Sequence, residues 1–354
     1  MSGVDVVARG LAAQGRAAAA ASARHANLLR AAGEALGRNP VVERPWLAAP
    51  AYTPGAAYAV GQVVAHGGNW YLCGLTGTAP LSGTGPTTST NGQYVADGAG
   101  GLYWTFLGGA RVADPGDGAP MVTAVTSNPS LGATWTPAAH PGAFTLRGAT
   151  AGAPMCVGAS VSFTCDGEKV ALFIPAGSAQ VRVIVDGRYL MPGSHVAGGQ
   201  DQWLVIDWSA STGRRWRHYE LETGKSASQF GGVQTGATAT VSADGGGAPR
   251  LAVIGDSYNA GSSYGPWLAG GSIAQLLAKR LGWRDCWNLS GGGTGYCNAS
   301  AASFRTYGQR AAQALALAPD ALMLMGSTND VGYAPAAVQA AVLATLRTLR
   351  AGSA

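Results

Sequence analysis

At 354 residues the chain is long enough for two or three domains, each with its own core. Charged residues make up only 12%, hydrophobic residues 47%, and glycine fills 54 positions, a balance that excludes disorder for want of apolar side chains and favours turns and β-structure. The formal net charge is +5, yet the basic residues are scattered apart from Arg214-Arg215-Trp216-Arg217, so nucleic acid is not an expected partner.

The five cysteines, Cys73, Cys156, Cys165, Cys286 and Cys297, are too few and too widely spaced for a zinc site or a disulfide framework. Cys156 and Cys165 are placed to face one another across a hairpin, but free thiols are the expectation for most of the set. Neither metal nor cofactor is expected. The N-terminus has no basic start and no long apolar core, and no stretch reaches the roughly 18 to 20 apolar residues of a spanning helix, so neither a secretory signal nor a membrane span is predicted.

Four units follow in order: residues 1–45, 46–112, 113–248 and 249–354. Residues 2–38 are rich in alanine and arginine, with Val4, Val7, Leu11, Leu28, Ala32 and Ala35 on a heptad seam. The pattern predicts one helix, either an oligomerising stalk, trimeric for instance, or docking peg, or a solvated helix packed on its own domain. Asn39-Pro40 ends it, and Pro45 to Pro54 is expected to be linker.

Between Tyr58 and Gly108 two alternating apolar runs flank Gly67-Gly68-Asn69, a hairpin signal, and Gly101 to Gly108 supplies a further strand. This small aromatic-rich β module resembles the repeats found on phage tail and spike proteins and, more loosely, the chitin-binding modules of secreted glycosidases. That resemblance implies a sugar-stacking role for Trp70, Tyr71 and Trp104. Against it, a domain this small needs at least half of its aromatics in its core.

Residues 119–246 carry short strands at regular intervals: Val161–Cys165, Lys169–Ile174, Gln180–Gly187, Gln202–Asp207 and Arg215–Glu222. Their spacing predicts a β-sandwich, jelly-roll-like, with Val185-Asp186-Gly187 as a turn and Arg182, Trp203 and Trp216 on sheet faces rather than at a ligand. Asp244 to Pro249 marks the next boundary.

From Arg250 the pattern changes to β-α-β-α-β. Leu251–Ile254 runs into Gly255-Asp256-Ser257, Asp285–Ser290 into Gly291 to Gly295, and Asp320–Met325 into Gly326-Ser327-Thr328-Asn329-Asp330. Helical spacing over Ser272–Leu281 and Tyr307–Leu317 separates the strands, and Ala336–Leu349 follows. Right-handed crossovers put the three strand ends on one edge. The three blocks resemble those of the SGNH (GDSL-type) hydrolase family, although two residues rather than one separate Gly326 from Asn329.

The resemblance implies a partial three-layer α/β domain. It further implies Ser257 as nucleophile, with the N–H of Ser257, the N–H of Gly293 and the side-chain amide of Asn329 as oxyanion donors. Asp256 and Asp330 are expected to fix turns. Ser262 to Trp267, just after the nucleophile turn, is a candidate pocket wall or ordinary surface loop. The plainer alternative makes Gly255 and Gly293 turn residues and Asn329 a helix cap.

The family's base lies in an Asp-x-x-His block near the domain's end, whereas His25, His66, His140, His195 and His218 all precede Ser257. A fragment or a truncated, inactive domain is the favoured expectation, with a displaced histidine as the third. A sandwich followed by an SGNH domain resembles carbohydrate esterases of the deacetylase kind. Together these resemblances imply a virion spike or fibre protein, extracellular without a signal peptide and oligomeric. It would bind bacterial surface polysaccharide and other virion proteins, and either remove acyl groups or act as a non-catalytic adhesin.

Overall fold

Glycine pairs and alternating apolar residues lay down the first sheet. The computed structural model describes residues 45–90, 93–97, 101–109, 118–147, 159–177, 180–195, 199–223, 230–244, 249–260, 272–283, 285–300 and 305–352. The helix expected over residues 2–38, Cys156, and the segment 262–267 lie outside them. The small module comprises β1 (Ala57–Tyr58), β2 (Val63–His66), β3 (Asn69–Leu75), β4 (Gly77–Thr78), β5 (Tyr94–Asp97) and β6 (Leu102–Gly109). Its main sheet has the order β2-β3-β6-β5, and β1 pairs with β4. Gly67 and Gly68, at φ 55° and 76°, make the two-residue turn between β2 and β3, a conformation that suits the twist of the flanking strands.

Strand β3 is covered on both faces. Tyr71 and Cys73 pack with Tyr52, Tyr58, Leu102 and Trp104, while Trp70 packs with Ala49 and Val63. The second cover comes from the segment expected to be linker, which is instead a strap. Its Trp46 N–H donates to the Tyr189 carbonyl at 2.8 Å, and its indole meets Trp208 edge-on at 5.5 Å. Left in solvent, Trp46 and Tyr52 would each forfeit roughly 1.5–3 kcal/mol of burial, which is why this Pro-rich stretch lies down.

The sandwich is built from β7 (Met121–Val125), β8 (Gly132–Trp135), β9 (Thr145–Arg147), β10 (Ser160–Cys165), β11 (Lys169–Ile174) and β12 (Val181–Val185), followed by β13 (Arg188–Tyr189), β14 (Gln202–Asp207), β15 (Arg217–Thr223), β16 (Gly232–Gly236) and β17 (Val241–Ser242). One sheet runs β13-β12-β15-β10-β17 with β9 also on β10, the other β7-β14-β11-β16-β8, and every pairing is antiparallel. Alternate residues Val161, Phe163, Cys165, Tyr219 and Leu221 of the first sheet meet Val170, Leu172, Ile174, Leu204 and Ile206 of the second in one core. Asp186 and Gly187, both at positive φ, form the expected turn between β12 and β13.

The last unit holds β18 (Arg250–Gly255), α1 (Ser257–Ala260), α2 (Ile273–Arg280), β19 (Asp285–Asn288), α3 (Tyr307–Ala316), β20 (Ala321–Met325) and α4 (Pro335–Gly352). The sheet is parallel, in the order β19-β18-β20. Leu251 and Val253 face Ala274 and Ala278 of α2, whereas Ala252 and Ile254 face Tyr307 and Ala314 of α3, so helices cover both sides of the central strand. Ser272 caps α2, and Thr306 with Gln309 forms a capping box at α3.

Lys279 of α2 joins this unit to the sandwich, donating to Glu222 and, at 2.6 Å, to the Tyr189 hydroxyl. Burial alone would lower its ammonium, but the charge of Glu222, the Tyr189 phenol and Glu220 hold it above its ordinary value. Among the described residues no helix is long and apolar enough to cross a membrane, and no cluster of His, Cys, Asp and Glu has the makings of a metal site.

Candidate active site

The order β19-β18-β20 reverses direction at β18, and in open parallel sheets the crevice beyond the strand ends at such a point is where ligands bind. Ser257 follows β18 there, Gly293 follows β19 and Asn329 follows β20, and all three are half-buried. The loops are stitched together rather than merely adjacent. Gly255 pairs in register with Met325, and the Gly291 N–H donates to the Gly255 carbonyl at 3.0 Å. Asn329 Nδ2 donates to the Thr294 carbonyl at 2.9 Å, which spends one of its two amide hydrogens and fixes the direction of the other.

Both aspartates serve the turns, as their positions led us to expect. Asp330 accepts the N–H groups of Tyr296, Cys297 and Asn298 at 2.8, 2.9 and 3.1 Å and the Ser327 hydroxyl at 2.7 Å. Burial alone would raise its carboxyl, but the Ser327 hydroxyl and those three N–H groups hold it below the usual carboxylate range. Asp256 Oδ1 accepts the Tyr258 N–H at 3.0 Å, while its buried Oδ2 has no partner among the described residues. A Cβ at Gly326, where φ is 119°, would run into both that oxygen and the Tyr307 hydroxyl, so this position is restricted to glycine.

Beneath the edge lies a polar layer that sequence reasoning did not single out. Arg310 donates to the carbonyls of Gly255 and Leu289 at 3.1 and 2.5 Å and to Thr294 Oγ1 at 2.6 Å, thereby tying the first block to the second. Tyr307 donates to the Met325 carbonyl at 2.9 Å and secures the third. Asn259, fully buried, donates to Asn288 Oδ1 and Ser290 Oγ and accepts the Ala274 N–H. A signal was available: Arg310 falls three residues after Tyr307, on the helix face whose other members, Ala311 and Ala314, are buried.

The aromatic candidates of the small module are corrected. Trp104 is fully buried, Tyr71 is 1% and Trp70 7% exposed, so none can offer a face to a sugar. Trp104 Nε1 donates to Asp97 Oδ2 at 3.0 Å, and the Tyr71 hydroxyl donates to the Thr88 carbonyl at 2.9 Å, which satisfies their polar ends inside the module. Of the histidines, His66 lies in this module and His140, His195 and His218 in the sandwich; His25 is outside the described residues. The four described cysteines, Cys73, Cys165, Cys286 and Cys297, are free, and burial pushes Cys286 up to about 12.

No family model matches the sequence, and no curated protein matches it. Among solved structures the chain is similar to the salicylyl-acyltransferase SsfX3 from a tetracycline biosynthetic pathway, at 19% identity and a TM-score of 0.42 over 65% of this chain and 71% of that one. It is also similar to a family two carbohydrate esterase from Cellvibrio japonicus, at 17% identity and 0.44 over 66% and 76%. A third is the acetyl xylan esterase Est2A from the rumen bacterium Butyrivibrio proteoclasticus, at 14% and 0.44 over 66% and 78%.

Proposed function

We propose that the α/β unit is a serine esterase of SGNH type that removes acyl groups, O-acetyl foremost, from a saccharide. Ser257 Oγ would attack the ester carbonyl as it loses its proton, and the N–H groups of Ser257 and Gly293 and the amide of Asn329 would hold the oxyanion. The acyl–oxygen bond would break with that proton passing to the departing sugar hydroxyl, and water would then hydrolyse the acyl-serine to the free acid and Ser257. The observation that carries this reading is the Asn329 to Thr294 hydrogen bond, which locks the third block onto the second while Gly255 locks both onto the strand that delivers Ser257. The proposal extends to a virion spike or fibre as the setting, supported by the resemblance of the small β module to tail and spike repeats.

A second reading is a non-catalytic adhesin that binds at the same edge, favoured by the placement of the described histidines, His66, His140, His195 and His218, in the small module and the sandwich. Hydrolysis of p-nitrophenyl acetate by the chain and by Ser257→Ala separates the two. Oxyanion binding alone leaves roughly 10³-fold acceleration over water in comparable serine enzymes whether or not the serine is present, so acyl transfer predicts a rate above that level, which Ser257→Ala lowers. Equal rates for the two proteins would overturn acyl transfer and leave binding.

A further inference from the structure

The outer face of the β9-bearing sheet is polar, and the α/β unit covers only part of it. Thr164 pairs with His218 on one side and Ser242 on the other, so the three form a single transverse row. Their neighbours Cys165, Arg217 and Val241 are buried towards the core, which turns the row outwards. Further along that face Glu222 stands opposite Ser160 and is closed over by Lys279. The Thr164 row is open. With Trp216, which precedes His218 by two residues and is 55% exposed, it lines a surface groove of about 400 Å³.

The groove's chemistry narrows its occupant. Arg214 is paired with Asp166 at 2.5 Å, Arg215 with Asp186 at 3.2 Å, and Arg147 and His218 share Asp244 at 2.8 and 3.1 Å. Arg217, which also lines the groove, is only 1% exposed, donates to the Thr212 hydroxyl and to the carbonyls of Gly213 and Arg215, and lies over Trp208. The run therefore presents little free cationic charge, which disfavours phosphate, nucleic acid or an acidic sugar. What remains is an exposed indole face beside two hydroxyls, Thr164 Oγ1 and Ser242 Oγ, at 2.8 Å from one another. An apolar face flanked by groups that both donate and accept matches a pyranose, with its C–H face and rim of hydroxyls, and the volume suits a small ligand.

We propose that this groove is a saccharide-binding site, in which a neutral sugar stacks on Trp216 and its hydroxyls meet those of Thr164 and Ser242. It lies on the sandwich, away from the strand-tip edge, and does not depend on Ser257 being a nucleophile. The test is isothermal titration of cellohexaose, xylohexaose and chitohexaose into the full chain and into Trp216→Ala, Thr164→Val and Ser257→Ala. Trp216→Ala should weaken binding of at least one of these by roughly tenfold or more. Thr164→Val should weaken it less, Ser257→Ala should leave it unchanged, and the thermal melts should match. The site is overturned if none of the three saccharides binds, or if Trp216→Ala leaves binding intact. It is equally overturned if only Ser257→Ala abolishes binding, or if Trp216→Ala alters sedimentation without altering saccharide binding, which would make Trp216 a contact between chains.

Discussion

Asp330 is the residue on which the geometry of the loops after β19 and β20 turns. Its carboxylate gathers three successive N–H groups of the second block and sits beside Asn329, so its charge holds two blocks in place at once. Because its folded pKa is depressed, the stabilisation is fully present above the unfolded value of about 4 and is lost as pH falls through the folded one. Asp330→Asn keeps one acceptor oxygen but loses the charge. We expect a cost of about 1–3 kcal/mol and a weaker acid dependence of the melting temperature below pH 4, measured by circular dichroism from pH 2 to 7. An unchanged melt across that range would show that the loop is held by other means. The positions of Ser257, Gly293 and Asn329 beyond the ends of β18, β19 and β20 were legible because each sits in a short local motif at a strand end. Asn259 and Arg310 were not, because their roles arise only when three loops meet.

Among the elements, α3 is more than a cover for the sheet. It carries Tyr307 and Arg310 into the layer beneath all three blocks, where Arg310 meets two carbonyls and a hydroxyl. Arg310→Met would fill much of the volume but take the guanidinium donor from the Leu289 carbonyl and Thr294 Oγ1, while the Gly255 carbonyl keeps the Gly291 N–H, at about 2–4 kcal/mol. The expected readout is a lower midpoint in urea, together with loss of any Ser257-dependent esterase rate; an unshifted midpoint would contradict the tie. Strand existence was legible from alternation, and Lys169–Ile174 and Gln202–Asp207 fall where the pattern put them. The orientation of the aromatics in β3 was not. Alternation assigns Trp70 and Tyr71 to opposite faces, but only the strap at residues 45–54 buries both, and its proline content disguised it as linker.

For the whole molecule, the contact between sandwich and α/β unit rests on Lys279 and Glu222. Glu222 is 3% exposed, so removing its cation strands a buried carboxylate. Lys279→Met should cost about 2–4 kcal/mol, somewhat below a fully buried pair because the lysine side chain is 29% exposed. The ammonium's raised pKa means that its contribution is present at neutral pH and fades as pH rises through the folded value. Calorimetry should show the α/β transition separating from that of the sandwich in Lys279→Met, whereas a single unshifted transition would mean that the contact is incidental. Among the described residues, the β-rich character before Arg250 and the β-α-β pattern after it could be read from composition and periodicity. How they lean on one another could not, since Lys279, Glu222 and Tyr189 are far apart in the chain.

The proposed acyl transfer requires the Ser257 hydroxyl to stand among amide donors at the carboxyl edge of β18. Incubation with diethyl p-nitrophenyl phosphate followed by peptide mass mapping tests this directly, because the phosphoryl group mimics the tetrahedral intermediate and needs both nucleophile and donors. We predict a single adduct, on the peptide that contains Ser257, formed roughly a hundredfold or more slowly in Asn329→Ala and absent in Ser257→Ala. No adduct, an adduct elsewhere, or equal rates with and without the Asn329 amide would contradict it.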